Sequence, residues 1–112
     1  MGENSASGFS LTVAAHPAFG RLIVLASPGG GAVRLTAPEA LTLSRALAAV
    51  RAGRSAEREI YLSPIASDAD VIGAVGSDGV RLGLGDIETA LDWDAVEALA
   101  AALAKMAEMA ES

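Results

Sequence analysis

Apolar and polar residues alternate over 9–13, the period-two pattern that predicts a strand with one buried face. A continuous apolar run over 22–26 favours a second strand, covered on both faces. A shorter alternation over 33–35 predicts a third strand, after a turn rich in glycine. Residues 1–8 are small and polar, and the sequence predicts that this N-terminal tail is disordered.

A helix is predicted to follow the third strand. Thr36 can accept the N–H of Glu39 while the carboxylate of Glu39 reaches back, which makes a capping box with Pro38 in the first turn. Gly53 is well placed to end this helix. Its apolar positions recur at helical spacing and predict a buried stripe of Ala40, Leu43, Leu47 and Val50.

The second half of the chain repeats the order of strands followed by a helix. Asp78-Gly79 is a good hairpin signal between two of its apolar runs. The last helix is predicted to begin near Asp92 or Asp94, and Asp94 with Glu97 has the capping-box spacing. The predicted strands are 60–62, 71–75, 80–84 and 87–91. The predicted stripe of the last helix is Val96, Leu99, Leu103, Met106 and Ala110.

These elements predict an α+β fold in a single domain over 9–112. Consecutive strands joined by short turns favour an antiparallel or mixed sheet of five or six short strands, with two amphipathic helices on one face. The two helical segments align without a gap at an offset of 56 residues. Residues 9–53 and 59–110 are therefore candidate half-repeats, although any two strand–cap–helix units rich in leucine and alanine would also align well.

Composition places this domain in a reducing compartment. The chain has 112 residues and no cysteine, so it has neither a disulfide framework nor a thiolate metal site. The N-terminus lacks the basic region and apolar run of a signal peptide, and no apolar run approaches the length of a membrane span. We expect a cytoplasmic protein with no membrane association. The excess of arginine over lysine and the many alanines are typical of a GC-rich bacterial genome.

Charge is divided unevenly along the chain. Residues 1–58 carry six arginines and three acids, a net charge of +3, whereas residues 59–112 carry two bases and eleven acids, a net charge of −9. Nucleic acid is excluded as a partner, because the whole chain has a net charge of −6 and only four aromatic residues. The split favours a charged protein partner, or mutual attraction between the two halves.

Few residues of the chain are suited to catalysis. The only histidine, His16, precedes a proline at a strand end, and no Gly-x-Ser-x-Gly elbow presents a serine nucleophile. Asp68 and Asp70 begin a calcium-like spacing that lacks its third ligand, while Asp92 and Asp94 are better explained as helix caps. We predict no metal and no cofactor, and the sequence leans against an enzyme without excluding one.

Two candidate sites remain. Gly29, Gly30 and Gly31 could converge their N–H groups on an anion, with Arg51 and Arg54 nearby; a plain connection between strands is the alternative. The last helix is apolar on more than one side, which predicts a homodimer. Its predicted self-association residues are Val96, Leu99, Leu103 and Met106.

The function that these features favour is a non-catalytic protein–protein interaction or regulatory module, a small homodimeric adaptor. The alternative is a protein or minor enzyme that binds a small anionic ligand through the Gly29–Gly31 loop and nearby arginines.

Overall fold

The computed structural model describes residues 3–111, which form eight strands and two α-helices. The first half contains β1 (Glu3–Ala6), β2 (Phe9–His16), β3 (Gly20–Ala26), β4 (Ala32–Leu35) and α1 (Ala37–Arg51). The second half contains β5 (Glu59–Leu62), β6 (Val71–Val75), β7 (Gly79–Leu84), β8 (Ile87–Asp92) and α2 (Trp93–Glu111).

The strands form two antiparallel sheets, in each of which neighbours along the chain pair with one another. Sheet A has the order β1-β2-β3-β4, and sheet B has the order β5-β6-β7-β8. The predicted α+β class is confirmed. The strands are more numerous than expected, and they divide between two sheets because α1 separates β4 from β5.

Strand β1 corrects the prediction that residues 1–8 are a disordered tail. Residues 3–6 pair with residues 9–12 of β2 in an antiparallel hairpin. Ser7 and Gly8 form the turn with positive φ angles of 55° and 84°. The predicted tail also includes Met1 and Gly2, which lie outside the described residues.

Both helices begin at a side-chain cap. The hydroxyl of Thr36 accepts the N–H of Glu39 at 3.3 Å, and the Glu39 carboxylate accepts the N–H of Thr36 at 2.9 Å. The predicted capping box is therefore present. For α2 the cap is Asp92, whose carboxylate accepts the N–H of Ala95 at 2.8 Å. Thr36 and Asp92 are 56 residues apart, so the offset seen in sequence also relates the two caps.

The two halves share one architecture, four antiparallel strands followed by a helix. The offset of 56 residues also relates the ends of β1 to those of β5, and the start of α1 to that of α2. Where the helices meet, the buried Ser44 hydroxyl donates to the carbonyl oxygen of Ala100 at 2.6 Å. These two residues are themselves 56 apart, so they lie where a two-fold relation between the halves would place them.

One hydrophobic core includes residues from both sheets and both helices. Helix α2 contacts α1, three strands of sheet A, and β7 and β8 of sheet B. Glu39 also ties the halves together, since its second carboxylate oxygen accepts the N–H of Ile65 at 2.9 Å. The loop before β6 covers the edge of β4, where Ser67 Oγ accepts the N–H of Arg34 at 2.6 Å.

Candidate interaction surface

The predicted self-association residues lie in the core of the chain itself. Val96, Leu99, Leu103 and Met106 are each fully buried. The apolar sides of α2 that predicted a second copy are covered by sheet A, sheet B and α1 of the same chain. In this conformation the four side chains are not available to a second copy. A homodimer therefore stays a prediction and requires a different surface.

The Gly29–Gly31 loop is closed on itself. Gly30 N–H donates to the Ser27 carbonyl at 3.1 Å, and Gly31 N–H donates to Ser27 Oγ at 3.0 Å. A Cβ atom at Gly31 would lie 2.9 Å from the Leu84 carbonyl oxygen, because the loop packs against the β7–β8 turn. Glycine is required there for close packing, and the N–H groups of Gly30 and Gly31 do not converge on an open site.

The two arginines proposed to act with this loop lie elsewhere, at the carboxyl end of α1. Arg51 Nη2 lies 3.6 Å from Glu97 Oε1 and 3.9 Å from Asp94 Oδ1, in ion pairs that join α1 to α2. Arg51 and Arg54 also line an open groove between the helices, together with small residues such as Ala48. The exposed ion pairs stabilise the contact only weakly, but they do join the basic half to the acidic half.

His16 and the acidic residues have local structural roles. Nδ1 of His16 accepts the N–H groups of Ala18 and Phe19 at 3.0 and 3.2 Å, which closes the β2–β3 turn. The Asp70 carboxylate accepts the hydroxyl of Tyr61 at 3.0 Å. Among residues 3–111, no three acidic or histidine side chains gather closely enough to hold a metal ion.

Sheet B exposes its largest apolar side chains on the side away from the helices, which we call the outer face. Tyr61 pairs with Ile72 across β5 and β6, and the two are 59% and 42% exposed. Gly83, the partner of Ile72 on β7, adds no side chain. The outer face consists of Glu59, Tyr61, Ile72, Ala74, Arg81, Gly83, Glu88 and Ala90. It is an apolar patch bordered by the guanidinium of Arg81 and by several carboxylates, among them Asp70, which accepts the Tyr61 hydroxyl.

A second feature adjoins this patch at the margin of the sheet, a cavity of about 180 Å³ between α1 and β5. We call it the edge groove. Its helix wall is built from small side chains, Ala46 and Ala49, and its floor from Val50 and Ile60, which are nearly buried. The edge groove is lined by Ala46, Ala49, Val50, Ser55, Glu57, Glu59, Ile60 and Tyr61.

Neither surface was identified from the sequence. The alternation of Glu59, Ile60 and Tyr61 could have suggested an exposed tyrosine on a short strand. No pattern predicts that Ala46 and Ala49 face the margin of β5, because that depends on how α1 packs beside this strand.

Comparisons with protein-family models, curated proteins and solved structures return no match.

Proposed function

We propose that the protein is a non-catalytic interaction module, a homodimeric adaptor that works in the cytoplasm. The observation that carries this proposal is the exposed Tyr61–Ile72 pair across β5 and β6 on the outer face. Exposed apolar residues scattered singly are ordinary, but an adjacent pair with a polar border is typical of a contact surface. Tyrosine is also enriched in protein interfaces. No helix within residues 3–111 has the length and hydropathy to cross a membrane.

The charges on the outer face favour a second copy of the chain as its occupant. A two-fold interface brings the same patch from both subunits together and must be complementary to itself. Arg81 shares this face with Glu59 and Glu88, so a rotated copy can place its guanidinium against carboxylates. The Tyr61 and Ile72 side chains would then be buried at the centre of the contact.

A lysine at position 72 tests this proposal. We expect the wild-type protein to show twice the chain mass of 11.2 kDa in light scattering at high micromolar concentration. Ile72→Lys should shift it to the mass of one chain, because it replaces an apolar contact side chain by a charged one that would have to lose its water on association. Phe19→Lys is the matched control, since Phe19 is 40% exposed on the β2–β3 turn of sheet A. A monomeric wild type, or a dimer unaffected by Ile72→Lys, would refute the proposal.

A further inference from the structure

Strand β5 is the margin of sheet B and pairs on one side only, with β6. The Val75 N–H donates to the carbonyl oxygen of Arg58, which lies opposite it, at 2.9 Å. Hydrogen-bonded pairs alternate along an antiparallel ladder, so the backbone groups of Glu59 and Tyr61 point away from β6. Within the described part of the chain, no hydrogen bond closes this edge as Ser67 closes the edge of β4.

The edge groove lies directly beside those open backbone groups. A strand placed next to β5 would send alternate side chains to opposite faces. One set would enter the groove against Ala46, Ala49 and Ile60, and the next would lie beside Tyr61 on the outer face. A volume of about 180 Å³ suits one or two aliphatic side chains of moderate size. We infer that the edge groove binds an extended segment of a partner protein, which adds to sheet B as a fifth strand.

The charged residues at the edge groove indicate which kind of segment binds there. The residues that line it include Glu57 and Glu59 and no arginine or lysine, and the Glu59 side chain lies on the outer face, beside the second set of partner side chains. Val50 lies in the last turn of α1, where the helix dipole places partial negative charge. The occupant is therefore a basic segment in which aliphatic and basic residues alternate. A second copy of β5 is a poorer occupant, because it would bring another Glu57 and Glu59 to the same seam with only Arg58 to balance them.

This inference rests on the proposed function, because it assigns a partner to the adaptor. The probe is a short fluorescent peptide of alternating lysine and valine, titrated against the full chain while its anisotropy is measured. We expect saturable binding, with backbone amide shifts centred on residues 46–50 and 57–61. A peptide of alternating lysine and serine has the same charge but no aliphatic side chains, so it should bind about tenfold more weakly or less.

Two kinds of variant then locate the site. Ala49→Phe fills the groove and should weaken lysine–valine binding at least about tenfold, whereas Ala98→Phe, at an exposed position of α2, should not change it. A double variant, Glu57→Lys with Glu59→Lys, reverses the charge of two exposed side chains. It should bind a peptide of alternating glutamate and valine more tightly than the lysine–valine peptide. Circular dichroism confirms that each variant is folded.

Equal affinity for the lysine–serine peptide, amide shifts centred elsewhere, or no binding by either lysine peptide would overturn the inference. The masses measured for Ile72→Lys report separately on the outer face. A monomeric wild type, or a dimer that Ile72→Lys leaves intact, would count against the proposed homodimer alone if the lysine–valine peptide still binds. A wild-type dimer that Ile72→Lys dissociates but that binds no peptide would count against the edge groove alone.

Discussion

Ser44 lies at the contact between α1 and α2. Its hydroxyl is buried, and it donates to the Ala100 carbonyl oxygen at 2.6 Å. A small side chain lets the two helices approach, and the hydrogen bond gives the buried Ser44 hydroxyl a partner, since the Ala100 oxygen lies within α2 and also takes part in its helical hydrogen bonding.

Substitutions at Ser44 should therefore be graded by size. Ser44→Ala loses a hydrogen bond that contributes about 1 kcal/mol, but alanine's higher helix propensity offsets about half of that, so the free energy of unfolding should fall by less than about 1 kcal/mol. Ser44→Leu forces the helices apart and should lower it by about 1–3 kcal/mol. Urea denaturation measures both variants. If Ser44→Leu is as stable as Ser44→Ala, the close contact between the helices is wrong.

The outer face could not be predicted from the individual residues that form it. Tyr61 and Ile72 have no unusual neighbours along the chain, and they become a patch only because β5 and β6 pair in the register that places them opposite each other. Register depends on the whole sheet and not on either residue alone.

The β3–β4 loop shows how one element is held against another. Gly31 packs so closely on the β7–β8 turn that an added Cβ would meet the Leu84 carbonyl oxygen and the Ile87 Cβ, each at 2.9 Å. Both neighbours belong to sheet B, so the loop joins the two sheets at this point.

Gly31→Ala should consequently lower the free energy of unfolding by about 1–3 kcal/mol, because a backbone oxygen cannot move aside as a flexible side chain can. Gly76→Ala is the control in the β6–β7 turn, where the nearest atom would lie at 3.8 Å. It should leave the urea midpoint almost unchanged. Equal effects from the two substitutions would mean that the loop does not join the sheets as described.

Much of the element order was predictable because local chemistry encodes it. The capping box at Thr36 and the alternation over 9–13 act within a few residues. Strand β1 was missed because residues 3–6 contain neither β-branched nor aromatic side chains, so its backbone pairing with β2 left no pattern to detect. The α2 residues that the sequence assigned to self-association are instead buried within the chain, since a strong apolar pattern does not say which chain covers it.

At the scale of the whole molecule, the two halves share one architecture but present different surfaces. Strand β1 contacts α2 along the margin of sheet A, whereas β5 leaves a groove between itself and α1. Acidic residues are concentrated in the second half, which carries the outer face, whereas the edge groove lies where α1 of the first half meets β5 of the second. The account therefore assigns self-association to the outer face of sheet B, and capture of a basic partner to its margin.

The absence of cysteine allows the central assignment, the outer face as the homodimer contact, to be tested directly. Ile72→Cys and Phe19→Cys each introduce a single thiol on an exposed position of similar accessibility. Each variant is treated with a short thiol-reactive bifunctional cross-linker, and the products are separated under denaturing conditions. The account predicts a band at twice the chain mass for Ile72→Cys and a band at the single-chain mass for Phe19→Cys. A cross-linked product from Phe19→Cys alone, or from neither variant, would contradict it.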